Sequence, residues 1–274
     1  MASEAVTKRQ APLMQRPGGI ALRALVILGV LVLSLGFVYV RLSESYQFQW
    51  LISLKFIPEF NAGLVMTIKA SLVAGVIACV MGLLIALARL SRFTQLRDLG
   101  TLYVHTFRNV PFYVFVLIVY FGFGRAIDVR PVIEAIGGFI DERFFWGVVA
   151  LAIFDAAFIS EIIRAGILSV HPTQREAARS LGMTVPQSMR YVVLPQALRN
   201  VIPALTGELI ALVKESSLLF VISLQELTLT ARTLAAHQGN TFEFYTILAV
   251  YYLMLTLPLA GASYLLERRM ARND

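Results

Sequence analysis

The sequence predicts an all-α membrane protein with six transmembrane helices. Three observations carry the prediction. Mean hydropathy is +0.73, and 58% of the 274 residues are hydrophobic. Only 15% are charged, where a soluble domain has about a quarter. Six apolar stretches, 20–40, 62–89, 101–124, 144–168, 199–224 and 243–265, are each long enough to cross a bilayer, which takes roughly 20 helical residues. These figures exclude a soluble enzyme, a secreted domain and a disordered chain. A single cysteine, Cys79, excludes a disulfide framework and a cysteine-cluster metal site. The three histidines, His105, His171 and His237, show no ligand spacing.

Residues 1–19, with Pro12, Pro17 and Gly18-Gly19, read as a basic cytoplasmic tail. The run from Ile20 to Val40 is broken only by Arg23. It is too long for a signal peptide and lacks a small-residue cleavage site, so it reads as a retained span. Gln47 to Glu59 mixes Phe48, Trp50 and Phe56 with polar residues, a pattern suited to the outer interface as a loop or a short surface helix. Residues 126–143 and 226–242 are expected outside, as loops or short surface helices. With the N-terminus in the cytoplasm, 15 of the 24 Lys and Arg residues lie inside and six outside, with Lys69, Arg108 and Lys214 in spans. Both termini are then cytoplasmic, as the positive-inside rule requires. The net charge of +7 thus reads as membrane orientation, with no nucleic-acid partner.

The loop at 170–198 is the informative one. Thr173 with Glu176, and Thr184 with Gln187, have capping-box spacing. Gly182 suits the left-handed position after a first short helix, and Pro186 the first turn of a second. Pro195 marks a break or bend before the next span. Ala177, Ala178 and Leu181 form a small apolar face rimmed by Arg175, Arg179 and Arg190. These residues alone admit two readings: a docking site for a protein, or an amphipathic element lying on the membrane surface. A DNA-binding helix-turn-helix fits poorly between two spans.

Glu176-Ala177-Ala178, then Gly182, then nine residues, then Val192-Val193-Leu194-Pro195 resembles the EAA loop of the permease subunits of bacterial ABC importers. Further runs resemble the polar amino-acid permeases of that group. They include Gly82 to Ser91, Phe107-Arg108-Asn109-Val110-Pro111, Ser160 to Ile167, Leu194 to Arg199, and Lys214-Glu215-Ser216-Ser217-Leu218. The resemblance implies a five-helix ABC importer permease core over residues 60–268, with the 20–40 helix as an N-terminal extra. It also implies an ABC ATPase subunit docked at Glu176, Ala177, Ala178, Gly182, Leu194 and Pro195. The other implied partners are a second permease subunit, an extracytoplasmic substrate-binding protein and a polar amino acid, all within the lipid bilayer.

No phosphate-binding loop, His-Glu-x-x-His or Gly-x-Ser-x-Gly pattern occurs, so no catalytic residues and no cofactor are expected, and ATP hydrolysis falls to a partner. Charged groups at membrane depth face a polar cavity or a partner. Asp155, Glu161, Glu208 and Glu215 are such groups. Asp155 and Glu161 are six residues apart and do not share a helical face. Glu161 with Ser160 either lines a central cavity or joins an interspan ion pair, with Arg108 a candidate partner. The resemblance favours the cavity for Glu161. The candidate substrate path is Glu161, Ser160, Arg108, Glu215, Ser216, Ser217 and Asp155; no metal site is expected. The function expected is the permease subunit of an ATP-driven importer for polar amino acids. The alternatives are a permease for another small zwitterion such as an opine, an ion-coupled secondary transporter near Asp155 and Glu161, and a structural membrane protein. The missing inverted repeat argues against the secondary transporter.

Overall fold

Long apolar segments without internal partners fold as helices in a membrane, where each backbone polar group must be satisfied within its own segment. The computed structural model describes residues 25–271 apart from 27, 28, 31, 35, 38, 42, 45 and 136. The expected tail and the beginning of the 20–40 span lie outside these residues. The chain divides into two units, Met1–Trp50 and Leu51–Asp274. In the first, Val32–Arg41 is a short apolar helix. Tyr46 to Gln49 is not helical. Tyr39 stacks on Phe48 at 5.0 Å, and Phe48 on Trp50 at 6.2 Å.

In the second unit, α1 (Ile57–Arg89) begins five residues before the expected span, because Pro58 in its first turn favours initiation. It is followed by α2 (Thr94–Asn109), α3 (Phe112–Leu117, extended through a π turn at Ile118–Phe123) and the short α4 (Arg130–Ala135). Then come α5 (Glu142–Leu168), α6 (Pro172–Ser180), α7 (Val185–Ser188) and α8 (Leu194–Glu215). The 3-10 helix Ser216–Ile222 extends α8, and α9 (Leu227–Gln238) and α10 (Thr241–Ala271) follow.

The architecture is all-α and multi-pass, but the expected six spans are not reached among the described residues. Three helices are long and apolar enough to cross a membrane: the run closing at Arg89, α5 and α10. A fourth arises if α2 and α3 form one bent span. The expected 101–124 span is in fact these two helices, turned by 103°. The cause is Pro111, which forces Val110 into extended backbone (φ −100°, ψ 134°). The expected 199–224 span is helical, but Arg199, Glu208, Lys214 and Glu215 lower the apolarity of α8.

The helix α5 is central: 67% of its most apolar window is buried, against 17% for α10. Small residues bring its neighbours close, as membrane helix packing requires. A Cβ on Gly82 of α1 would lie 2.6 Å from Ile159 Cγ2, and one on Gly166 of α5 would run into Val201 Cγ2 of α8. The expected outer surface helix at 226–242 is α9, and its first turns are buried. Leu227 N–H donates to Thr67 Oγ1 of α1 at 3.2 Å. Glu226 caps α9 through Thr228 N–H and Leu229 N–H, both at 2.8 Å, and accepts from Tyr252 of α10 at 3.2 Å. On the loop before α4, hydrogen bonds from Arg130 hold the exposed Asp128 carboxyl below the usual carboxylate range.

Candidate substrate path and coupling segment

The 170–198 segment forms the two short helices expected, with a different first cap. His171 is the N-cap of α6: its Nδ1 accepts from Thr173 N–H at 3.3 Å. Pro172, with its preset φ, starts the helix one residue earlier than a Thr173 cap would, so the expected Thr173–Glu176 capping box does not form. The second box does form. Thr184 N–H donates to Gln187 Oε1 at 2.8 Å, and Gln187 N–H to Thr184 Oγ1 at 3.4 Å. Between them Gly182 has φ +82°. Met183 N–H reaches Ala178 O and Gly182 N–H reaches Arg179 O, the paired bonds of a Schellman stop. Pro195 does not break the chain. The π turn Met189–Val193 comes just before it and opens the ladder where the proline ring and its missing donor would conflict. The chain then runs on into α8.

The expected apolar docking face is divided. Ala177 is exposed and Leu181 is 80% exposed, but Ala178 is 3% exposed and packs within the chain. Leu181, Gly182, Met183, Gln187 and Tyr191 line a cavity of about 300 Å³. Glu176, Leu194 and Pro195 are exposed. Arg175 does not rim the face, because its Nη2 donates to Ile167 O at the end of α5 at 2.6 Å. Asn200 Nδ2 of α8 donates to Ser169 Oγ at 2.9 Å.

Glu161 is an ion-pair member, and its partner is not Arg108. Its Oε2 accepts from Arg89 Nη1 of α1, and its Oε1 from Arg164 Nη2, both at 2.5 Å. Arg164, one turn on, reaches it along the helix. Arg108 instead lies over the ring of Phe158 at 5.4 Å. Ser160 Oγ donates to Ala157 O and Ser216 Oγ to Val213 O, so both hydroxyls are used on their own chain segments. Ser217 is half-buried.

Asp155 sits at the midpoint of α5 with no exposed surface. Neither of its carboxyl oxygens has a hydrogen-bond donor among the described residues, and Glu215 Oε2 has none either. The Glu215 carboxyl lies against that of Asp155 and can donate to it only when protonated. Glu208, two turns before Glu215 on α8, lies within electrostatic reach of both Glu215 and Arg108. Tyr103 of α2 is close but gives its proton to Ile153 O at 2.5 Å. The structure thus sets Asp155 against Glu215, with Glu208 in electrostatic reach of both and Arg108 in reach of Glu208, and holds Glu161 in a separate ion pair. A groove of about 700 Å³ between α1, α8 and α10 is almost wholly apolar and is lined by none of these residues.

Sequence reasoning missed two polar residues. Arg89 stands at the end of the expected 62–89 span, and nothing local marks its partner, which is 72 residues away. Glu226 was legible in principle, as an acidic residue just before a helical run.

Residues 78–272 match the model of the binding-protein-dependent transport system inner membrane component family. The chain is 39% identical over 208 residues to the probable glutamine ABC transporter permease protein of Bacillus subtilis (strain 168), covering 76% of this chain and 91% of that protein. It is 34% identical over 218 residues to the arginine transport system permease protein of the same organism, covering 80% and 95%. A crystal structure of an amino acid ABC transporter with histidines superposes with a TM-score of 0.72 at 38% identity, covering 82% of this chain and all of that one. A MetNI methionine ABC transporter in an inward-facing form, 22% identical, shares the fold at a TM-score of 0.65, covering 79% and 98%. Membership implies the usual importer partners: an ATPase, a second permease and a substrate-binding protein. The chain belongs to the inner membrane component family of binding-protein-dependent transport systems, as a non-catalytic permease subunit of an ABC importer.

Proposed function

We propose that this subunit carries polar amino acids inward, with six spans, both termini in the cytoplasm and the N-terminal helix added to a five-helix core. The observation that carries the substrate reading is the Asp155 carboxyl, buried at the centre of α5 without a donor. An uncompensated carboxylate at that depth is costly. In this reading a substrate ammonium or basic side chain supplies the missing charge, Glu215 and Glu208 add to the local negative field, and Arg108 is the candidate partner for the substrate carboxylate. Glutamine and arginine transport by the named relatives agrees with this class of ligand. The exposed Ala177, Leu181 and Glu176 and the cavity beside Gly182 supply the surface on which a cytoplasmic ATPase docks.

Reconstitution tests the function. Proteoliposomes holding the permease with its ATPase, supplied with the binding protein on the outer face, are expected to accumulate radiolabelled glutamine, arginine or glutamate only with ATP on the ATPase side. Accumulation driven by a proton or sodium gradient without ATP would instead establish the secondary-transporter reading.

A further inference from the structure

Arg89 closes α1, and its side chain is 9% exposed. Its stem runs through the space left by a missing side chain on α2: a Cβ on Gly100 would lie 2.7 Å from Arg89 Cγ. Its guanidinium reaches α5 at Glu161, 2.5 Å away. One side chain therefore touches three helices. Among the described residues this is the hydrogen bond that links α1 to α5; the rest of their contact is close apolar packing such as Gly82 against Ile159. The grip is end-on, through Nη1, and the buried Nε has no acceptor. A bidentate fork would hold more firmly.

The other end of this connection is the coupling segment. Glu161 lies two turns before the end of α5 at Leu168. Arg175 of α6 bonds Ile167 O, and Asn200 bonds Ser169. A displacement of α6 is thus delivered to the last turns of α5, and Glu161 carries it on to Arg89. We propose that Arg89 is a positioning residue that makes α1 and α2 move with α5 when the ATPase acts on α6. The inference rests on the reading of α6 as the ATPase-docking element.

Arg89→Met tests it without orphaning the carboxylate, because Glu161 keeps Arg164. The full complex is reconstituted, and uptake of the amino acid that the wild-type complex transports is measured with ATP hydrolysis. In Arg89→Met, ATPase copurification and hydrolysis should stay within about twofold of wild type, while amino acid moved per ATP falls at least about fivefold. Arg89→Lys, which keeps a cation, should retain more than about half of the coupling ratio. An unchanged ratio in Arg89→Met overturns the proposal, as does loss of ATPase copurification in both variants. Leu181→Glu is the separate control for docking: if it retains the ATPase, the docking reading fails whatever Arg89→Met shows.

Discussion

Arg89 and Glu161, 72 residues apart, meet at 2.5 Å and join the end of α1 to α5, while Arg164 holds the same carboxylate from the next turn. Two cations therefore share one anion, and the three charges are unequal in what their removal leaves behind. Taking away Arg89 leaves an intact pair. Taking away the Glu161 charge leaves two partly buried guanidinium groups side by side.

That asymmetry sets a stability order. Glu161→Gln is expected to cost about 2–3 kcal/mol and Arg89→Met about 1 kcal/mol or less, values between those for buried and surface pairs. The apparent melting temperatures of the detergent-purified variants should follow that order. An Arg89→Met variant that melts as low as Glu161→Gln would contradict the sharing.

Gly182 closes α6 in the left-handed region. Alanine there should cost roughly 1 kcal/mol of local backbone energy, and asparagine less. ATPase copurification should fall in the order glycine, asparagine, alanine. Equal recovery in all three would show that the stop is not needed for docking.

Gly166 permits the α5–α8 crossing. Gly166→Ala drives a Cβ into Val201 and is expected to destabilise by about 1–3 kcal/mol. Val201→Ala should restore most of that loss, read by thermal unfolding of the single and double variants. Failure of the double variant to recover would place the strain elsewhere.

The proposed orientation is testable by thiol labelling in a Cys79→Ala background. Cysteine at 135 should react with an impermeant reagent in intact cells, and cysteine at 180 only after the membrane is broken. The reverse pattern overturns the inside assignment of both termini.

The two short helices of 170–198, the Thr184–Gln187 box and the left-handed Gly182 were legible because each depends on residues within one turn of each other. Hydropathy showed where the apolar segments lie but did not reveal the 103° turn at Val110-Pro111, although Pro111 was the local sign of it. The inward packing of Ala178 and the burial of α9 depend on neighbours distant in sequence. The same is true of the candidate path. The sequence offered Asp155, Glu161, Glu208 and Glu215 alike as acids in apolar runs, and the resemblance favoured Glu161. Only the fold separates Glu161, answered by Arg89 and Arg164, from Asp155, which faces Glu215.

The central claim is that the Asp155–Glu215 pair receives the cationic part of the substrate. Uptake into proteoliposomes by Asp155→Asn and Glu215→Gln complexes tests it most directly, with hydrolysis followed in parallel. Both variants keep side-chain volume and remove one acid. Transport is predicted to fall at least about tenfold, the equivalent of about 1.4 kcal/mol, while assembly and basal ATP hydrolysis persist. Transport at wild-type rates in both variants, with the complex intact, would contradict the claim.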